Sequence, residues 1–331
     1  MNFRTVFFTG RGYSADVHFR ANSPNAADVT SLIVAIFLRS FCVTAKCIGV
    51  QITGLFIYPV KSCRGISLEE AQLHRRGFLH DREFLVVDET DAFLTQRTAP
   101  ELATVQIDLK EIGLVLKAPI TGELHLSFNT IEERSGSRGP RKVTIFDDQA
   151  LADDVGEEAA QWFSAVLHRP CRLVRIGASY SRTVPLEKIA EAHRSTDEPE
   201  ISFTDAFPTL LISEESLADL NTRLPESIPM GRFRPNIVVR GCAPYDENTW
   251  NVVRAGDIVF GCARTCLRCV ISSTDQQTGI RHGAEPLRTL ATYRSSPAGN
   301  GVIFGEYLIH SGSGKLHVGD DMMIERRAAK L

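Results

Sequence analysis

Two cysteines placed three residues apart are the clearest chemical feature of this sequence. Cys266 and Cys269 enclose Leu267 and Arg268, and a polar, turn-forming segment follows at 274–279. In a chain without the cysteine pattern of a secreted protein, such a pair usually binds a metal or is redox-active. A zinc site would require a second pair of cysteines or histidines at similar spacing. The sequence contains no such second pair.

Arg268 points to a different chemistry for this pair. An adjacent cation favours the anionic form of a thiol, which is the form that binds metals. One soft thiolate is sufficient for a metal centre when a cofactor supplies the remaining ligands. A thioredoxin-like motif is disfavoured, because residues 270–274 are β-branched or hydroxylated and favour a strand or a loop.

Length and charge limit the classes of function. The chain has 331 residues, 43% of them hydrophobic, which is enough for a large core and favours two domains. Its net charge of −3 gives no general attraction to nucleic acid polymers or anionic membranes. Eight unevenly spaced cysteines do not resemble a disulfide framework, so a reducing, cytoplasmic location is predicted.

Residues 1–49 differ from the rest of the chain. The apolar run at 32–44 is interrupted by Arg39 and is shorter than the roughly 20 residues that span a bilayer, so no integral membrane span is predicted. Three interpretations remain: a targeting or anchor segment, a structured extension, or residues upstream of the natural start. The first would place the protein in mitochondria or at a membrane instead of the cytoplasm.

From Val50 onward the pattern predicts short strands separated by turns, with helices at 156–167 and 214–224. Strands that do not alternate with helices favour an α+β, mostly β chain with two barrel-like domains. We place these domains at 50–176 and 190–326, joined by the polar segment 177–202. The predicted strands are 51–60, 83–87, 92–96, 103–109, 113–117, 123–128, 142–146, 171–176, 209–212, 236–239, 258–262, 269–273, 302–308 and 315–318.

Five segments together resemble the MOSC-domain proteins. Specifically, the chain is similar to the subgroup with an N-terminal β-barrel domain, which includes the mitochondrial amidoxime reducing component and bacterial reductases of N-hydroxylated bases. The similarity covers about 50–324. It implies an N-terminal β-barrel domain, a MOSC β-barrel domain with a few helices, and a molybdenum–molybdopterin cofactor. The segments are Tyr58-Pro59-Val60-Lys61-Ser62-Cys63, Asp81-Arg82, Gly231-Arg232-Phe233-Arg234-Pro235-Asn236, Cys266-Leu267-Arg268-Cys269 and 274–279.

The resemblance also implies which residues form the site. Cys269 matches the cysteine that binds molybdenum, whereas Cys266 has no implied role. Cations, hydroxyls and amides suit the pterin and its phosphate, and arginine can bind a phosphate through two hydrogen bonds. The residues matched to the cofactor are Lys61, Ser62, Arg82, Arg234 and Asn236, with Arg268 and Thr274 expected to complete the pocket wall. Two tempting residues have simpler interpretations, Ser213 as a helix N-cap and Asp275 as a turn former.

By this resemblance the protein is a molybdenum-dependent oxidoreductase that reduces N-hydroxylated or N-oxide compounds, such as hydroxylaminopurines, amidoximes or hydroxylamines. No residue stands out as a general acid. No four-cysteine cluster for an iron–sulfur centre is visible, so electrons are expected from a separate cytochrome b5-like protein, ferredoxin or flavoprotein.

Two alternatives remain open. The first is a carrier of molybdenum cofactor or sulfur without substrate turnover. Full sulfurase activity is not expected, because no pyridoxal-phosphate-dependent domain precedes the barrel. The second is a zinc- or disulfide-stabilised binding module, which would require both Cys266 and Cys269.

Overall fold

The computed structural model describes residues 49–129, 139–193, 198–281 and 283–327. The interpretations of the first 48 residues therefore concern a segment outside the described part. The described residues are mostly β, which confirms the predicted α+β, mostly β class. Within those ranges, no helix has both the length and the apolar character needed to cross a membrane.

Strands and helices have the following bounds. The strands are β1 (Val50–Ile57), β2 (Ile66–Leu68), β3 (Glu70–His74), β4 (Gly77–Phe78), β5 (Phe84–Val87), β6 (Gln106–Lys110), β7 (Gly113–Ala118), β8 (Thr121–Ser127), β9 (Arg141–Ile145), β10 (Asp148–Asp154), β11 (Arg172–Arg175), β12 (Thr209–Ser213), β13 (Ile237–Arg240), β14 (Trp250–Ala255), β15 (Ile258–Arg268), β16 (Val302–Ser311), β17 (Gly314–His317) and β18 (Asp321–Arg327). The helices are α1 (Glu157–Leu167), α2 (Glu214–Arg223) and α3 (Leu287–Ala291).

A closed barrel forms the centre of the C-terminal half. Its seven strands follow the order β1, β13, β12, β16, β15, β14 and β18, and β18 pairs again with β1. Within it, β12 and β13 run parallel. Strand β1 alternates buried and half-buried residues, with a register shift between Ile52 and Gly54 that moves Leu55 and Ile57 into the same core. The first strand of the described residues is thus part of the barrel built mostly from residues after 190.

The N-terminal half contains two smaller sheets, β5-β11-β10-β9 and β6-β7-β8. Helix α1 covers their shared core with Ala159, Phe163 and Val166, because these apolar residues recur at helical spacing on one face. Both predicted helices are confirmed. In α2, the side chain of Ser213 accepts a hydrogen bond from the Ser216 amide, so its prediction as the N-cap is also confirmed.

Two predicted strands are wrong. Residues 92–96 form only isolated bridges to neighbouring strands. The predicted strand 269–273 is instead a 3-10 helix at Val270–Ser273. The amide and the hydroxyl of Ser272 both donate to the carbonyl of Cys269, at 3.1 and 2.9 Å. A serine that bonds to its own local backbone competes with strand pairing, which explains the error.

Candidate functional site

A pocket lies where residues from the N-terminal half meet the end of β15. It encloses about 750 Å³, including its open mouth. Seven of the eight predicted site residues line it, whereas Thr274 does not. The lining comprises Lys61, Ser62, Arg82, Arg97, Thr204, Asp205, Phe207, Leu210, Phe233, Arg234, Asn236, Cys266, Leu267, Arg268, Cys269, Ile271 and Tyr307.

Three of the lining residues have an unusual backbone. Ser62, Arg82 and Arg234 have φ values of 71°, 51° and 56°. This left-handed conformation is uncommon outside glycine and costs about 1–3 kcal/mol per residue, so it persists where the surroundings enforce it and is frequent at ligand sites. The Arg82 amide is fixed by a 2.9 Å hydrogen bond to the carbonyl of Tyr58, and the Ser62 hydroxyl accepts one from the Gln96 amide at 3.2 Å.

Lys61 and Arg97 share one carboxylate at the pocket wall. The Nζ of Lys61 donates to Asp205 and, at 2.7 Å, to the carbonyl of Phe203. Arg97 donates to the other Asp205 oxygen at 3.0 Å. Burial lowers the pKa of Lys61 to about 8, although Asp205 acts in the opposite direction. Burial would raise the pKa of Asp205, but its two cationic partners hold it well below its usual range. The carboxylate is therefore ionised at neutral pH.

Arg82 is held by two polar side chains. Its Nη1 lies 2.7 and 2.6 Å from the two carboxylate oxygens of Asp81 and 3.1 Å from the Oδ1 of Asn236. The same Asn236 oxygen accepts from the Leu210 amide at 3.3 Å, and its Nδ2 donates to the carbonyl of Phe56 at 3.1 Å. Asn236 thus supports Arg82 and ties it to the barrel strands.

The two cysteines have different surroundings. Cys266 is 1% exposed, and its sulfur accepts a 2.9 Å hydrogen bond from Arg268, while burial raises its pKa. Residues 266 and 268 share a face of β15, because side chains alternate along a strand. Arg268 therefore pairs directly with the buried thiol of Cys266. Cys269 follows the strand, is half-buried and is a free thiol.

Arg97 is a second cation that interacts with Cys269, and no motif in the sequence indicates it. Burial opposes its charge, but Asp205 and Cys269 together raise the pKa of its guanidinium. Asp205 was missed as well. Neither residue belongs to a recognisable motif, and both come from segments far from Cys269 in the chain. Only the folded structure brings them together.

Thr274 lies behind the pocket wall. It is fully buried, its amide donates to the carbonyl of Ile271 at 3.0 Å, and its hydroxyl accepts from Arg281 at 3.3 Å. The following Asp275 accepts from the amides of Gln277 and Thr278 at 2.9 and 3.0 Å, which confirms its prediction as a turn former. Thr274 therefore shapes the segment 274–281 instead of lining the cavity.

A glutamine pair links the two halves of the pocket. The guanidinium of Arg234 donates to the Oε1 of Gln276 at 3.1 Å. Gln276 in turn donates to the Oε1 of Gln96 at 2.9 Å, and Gln96 donates to the carbonyl of Ser62 at 2.7 Å. This chain of hydrogen bonds connects two residues with left-handed backbones across the pocket.

The donor set suits an anionic ligand. Five cations line the pocket, and Asp205 is the only carboxylate among its lining residues. Three buried polar atoms of its lining residues, the Nη1 of Arg97, the Nε of Arg268 and the Oγ1 of Thr204, have no hydrogen-bond partner among the described residues. A buried polar atom without a partner is costly, so a bound polar group would stabilise all three. Cys269 adds one free sulfur ligand for a soft metal.

Comparison with known proteins gives a family for this arrangement. Residues 49–170 match the MOSC N-terminal beta barrel domain, and residues 198–323 match the MOSC domain. Mitochondrial amidoxime-reducing component 1 of Mus musculus is 35% identical over 281 residues, covering 82% of this chain and 81% of that protein. Mitochondrial amidoxime reducing component 2 of Bos taurus is 34% identical, covering 81% of each. Molybdenum cofactor sulfurase of Oryza sativa subsp. japonica is 32% identical over 74% of this chain but only 31% of its own length. The chain therefore belongs to the family of MOSC-domain proteins with an N-terminal MOSC β-barrel domain that includes the amidoxime-reducing components.

Proposed function

We propose that the protein is a molybdenum-cofactor-dependent reductase of N-hydroxylated or N-oxide compounds. The names of the relatives that match most of its length support this class of activity. The observation that carries the proposal is the position of Cys269, a free thiol in a pocket lined by five cations. That combination fits a cofactor that has an anionic phosphate and a metal requiring one more sulfur ligand.

Each part of the pocket has a task in this proposal. Cys269 would hold the metal, and the cations and hydroxyls would bind the pterin and its phosphate, including Lys61, Ser62, Arg82, Arg234 and Arg268. When bound, the cofactor supplies the two-electron chemistry that removes oxygen from nitrogen. Asn236 would act indirectly through Arg82, and Thr274 through the segment behind the pocket wall.

Three charged side chains in the pocket wall near Cys269 hold one another in place through ion pairs. Lys61 and Arg97 keep Asp205 ionised, and that carboxylate in turn holds both cations at the pocket wall. Charged groups fixed before substrate arrives need no reorganisation during reaction. We therefore propose that Arg97 and Asp205 orient the polar N–O group of the substrate, while Lys61 holds Asp205 in place.

Electrons would come from a separate protein, for which a cytochrome b5-like protein, a ferredoxin and a flavoprotein are the candidates. The word mitochondrial in the names of the relatives favours testing a mitochondrial location against the cytoplasmic prediction. Both questions are addressed by recovering the native protein with its partner from fractionated cells.

The experiment that tests the activity uses an artificial electron donor. Protein from a host that makes the cofactor is mixed with reduced benzyl viologen and either benzamidoxime or hydroxylamine. We expect dye oxidation that requires substrate, is lost in Cys269→Ser and is retained in Cys266→Ser. Dye oxidation that is independent of substrate or of Cys269 would contradict the proposal.

The similarity to the sulfurase favours one other candidate, a carrier of cofactor or sulfur. A carrier would retain molybdenum but would not oxidise the dye with any N-hydroxylated substrate. It would instead transfer its cofactor to a cofactor-free molybdenum enzyme and restore that enzyme's activity. The same preparations therefore separate the two functions.

A further inference from the structure

Tyr58 contacts two arginines of the pocket without lining the pocket itself. The Cζ atoms of Arg82 and Arg234 lie 4.1 and 4.2 Å from the centre of its ring. A guanidinium at this distance from an aromatic face is attracted by the ring, and the attraction grows when both groups are removed from water. The tyrosine is 3% exposed, so the contacts are shielded from solvent. The ring of Tyr58 therefore contacts the guanidiniums of both arginines.

The position of this ring is fixed from several directions. Its hydroxyl donates to the carbonyl of Pro235 at 2.9 Å, and its amide donates to the Oδ1 of Asp81 at 2.9 Å. Gly65 leaves the space that the ring occupies, since a Cβ at that position would lie 2.4 Å from a ring carbon. Tyr58 therefore has little freedom to rotate away from the arginines.

Two neighbouring cations repel each other unless something offsets their charge. Arg82 is paired with Asp81, but Arg234 has a neutral partner, the amide oxygen of Gln276. Burial lowers the pKa of Arg234 to about 10, and the charge of Arg82 acts in the same direction. Arg82 and Arg234 together therefore carry one positive charge that no carboxylate among the described residues compensates. A bound anion would stabilise that charge.

We infer that Tyr58 is a positioning residue for anion binding: its ring holds the guanidiniums of Arg82 and Arg234 as one clamp for a phosphate group. The inference rests on the proposed function for the identity of the ligand, which would be the phosphate of the cofactor. The clamp itself follows from the contacts of Tyr58, Asp81 and Gly65.

The test measures binding of inorganic phosphate to cofactor-free protein by calorimetry at constant ionic strength. Tyr58→Phe keeps the ring and should stay within about twofold of the parent dissociation constant. Tyr58→Leu removes the ring and should weaken binding about tenfold or more, as should Arg82→Lys, which keeps the charge but loses the planar group. Unfolding is measured in parallel, because a purely structural role would change stability without this pattern of affinities.

Tyr180 offers a matched control. It is also a buried tyrosine, with Arg76 5.4 Å from its ring centre and its hydroxyl bound to the carbonyl of Ile201, but it lies outside the pocket. Tyr180→Leu should lose stability and keep phosphate affinity. A parent protein that does not bind phosphate, or a folded Tyr58→Leu variant with parental affinity, overturns the inference. If Tyr58→Leu fails to fold, parental affinity in Arg82→Lys overturns it equally.

Molybdenum content is measured separately on the same variants. If phosphate affinities follow the expected pattern but the parent never retains molybdenum, the clamp stands and the proposed cofactor fails. If the parent retains molybdenum but Tyr58→Leu keeps the parental phosphate affinity, the proposed cofactor stands and the clamp fails.

Discussion

The guanidinium of Arg268 lies 2.9 Å from the sulfur of Cys266. Its second terminal nitrogen donates to the carbonyl of Phe233 at 2.7 Å, while its Nε has no hydrogen-bond partner among the described residues. The two cysteines that look equivalent in the sequence therefore differ in the structure: both line the pocket, but Cys266 is buried and bound by Arg268, whereas Cys269 is half-buried.

This difference predicts unequal reactivity towards alkylating reagents. In cofactor-free protein, iodoacetamide should modify Cys269 at least about tenfold faster than Cys266, whose thiol is buried and has a raised pKa. Peptide mass spectrometry over a time course measures both rates. Cys171, a buried thiol outside the pocket, is the internal control and should react as slowly as Cys266. Equal alkylation rates at Cys266 and Cys269 would contradict the burial of Cys266.

A second prediction concerns the charge pair at the pocket wall. Asp205→Asn should lower the free energy of unfolding by about 1–3 kcal/mol, because Lys61 and Arg97 would remain without their shared carboxylate. This expected loss of unfolding free energy is small for a buried ion pair, because 35% of the Asp205 side chain is exposed to solvent. Urea unfolding measures the change. The control is Asp108→Asn, which breaks an exposed pair with Lys117 and should change stability by less than about 0.5 kcal/mol.

A third prediction concerns Glu306, which is 4% exposed on β16. Burial raises the pKa of its carboxyl to about 8; nearby Glu247 acts in the same direction, whereas Asn248 and Arg294 oppose it. A raised pKa means that the folded state binds the proton more tightly than the unfolded chain. Its contribution to stability is complete below pH 4.5 and is lost as the pH rises through about 8.

Glu306→Gln removes this titration and keeps an amide oxygen as acceptor for Asn248. The free energy of unfolding of the variant, relative to that of the parent, should therefore increase by up to a few kcal/mol as the pH is raised from 5 to 9. Urea unfolding at both pH values measures the difference. A constant difference across this range would mean that Glu306 does not titrate there.

A fourth prediction concerns the turn beside the pocket. Gly279 has a φ of 73°, and a Cβ there would lie 2.9 Å from the carbonyl oxygen of Pro100. Gly279→Ala should cost about 1–3 kcal/mol of unfolding free energy, since both the conformation and the contact are unfavourable. The control Gly122→Ala, at a site with open space, should stay within about 1 kcal/mol. Similar effects at both positions would contradict the described turn.

Local patterns predicted α1 and α2 correctly, whereas the short helix α3 was not predicted. The spacing of Ala160, Phe163 and Leu167 defines the buried face of α1, and Ser213 caps α2 through a contact three residues away. Such features depend on neighbours in the chain, which a single sequence displays directly. The strand error at 269–273 had a local cause too, because a serine bound to its own backbone outweighed β propensity.

The contacts that complete the pocket are not local. Lys61 and Asp205 are 144 residues apart, and Gln96 and Gln276 are 180 residues apart. The motif residues could be found because they resemble a family, but their supporting partners follow no spacing rule. Likewise, no pattern in β1 indicates that it joins β13 and β18, since any half-buried strand has the same alternation.

The most direct test of the account is the molybdenum content of protein made in a host that synthesises the cofactor. Parent, Cys266→Ser and Cys269→Ser are purified in parallel, and molybdenum and zinc are measured per chain. We expect near-stoichiometric molybdenum in the parent and in Cys266→Ser, with strong loss in Cys269→Ser. Zinc without molybdenum, or equal loss in both cysteine variants, would contradict the assignment of Cys269 as the metal ligand.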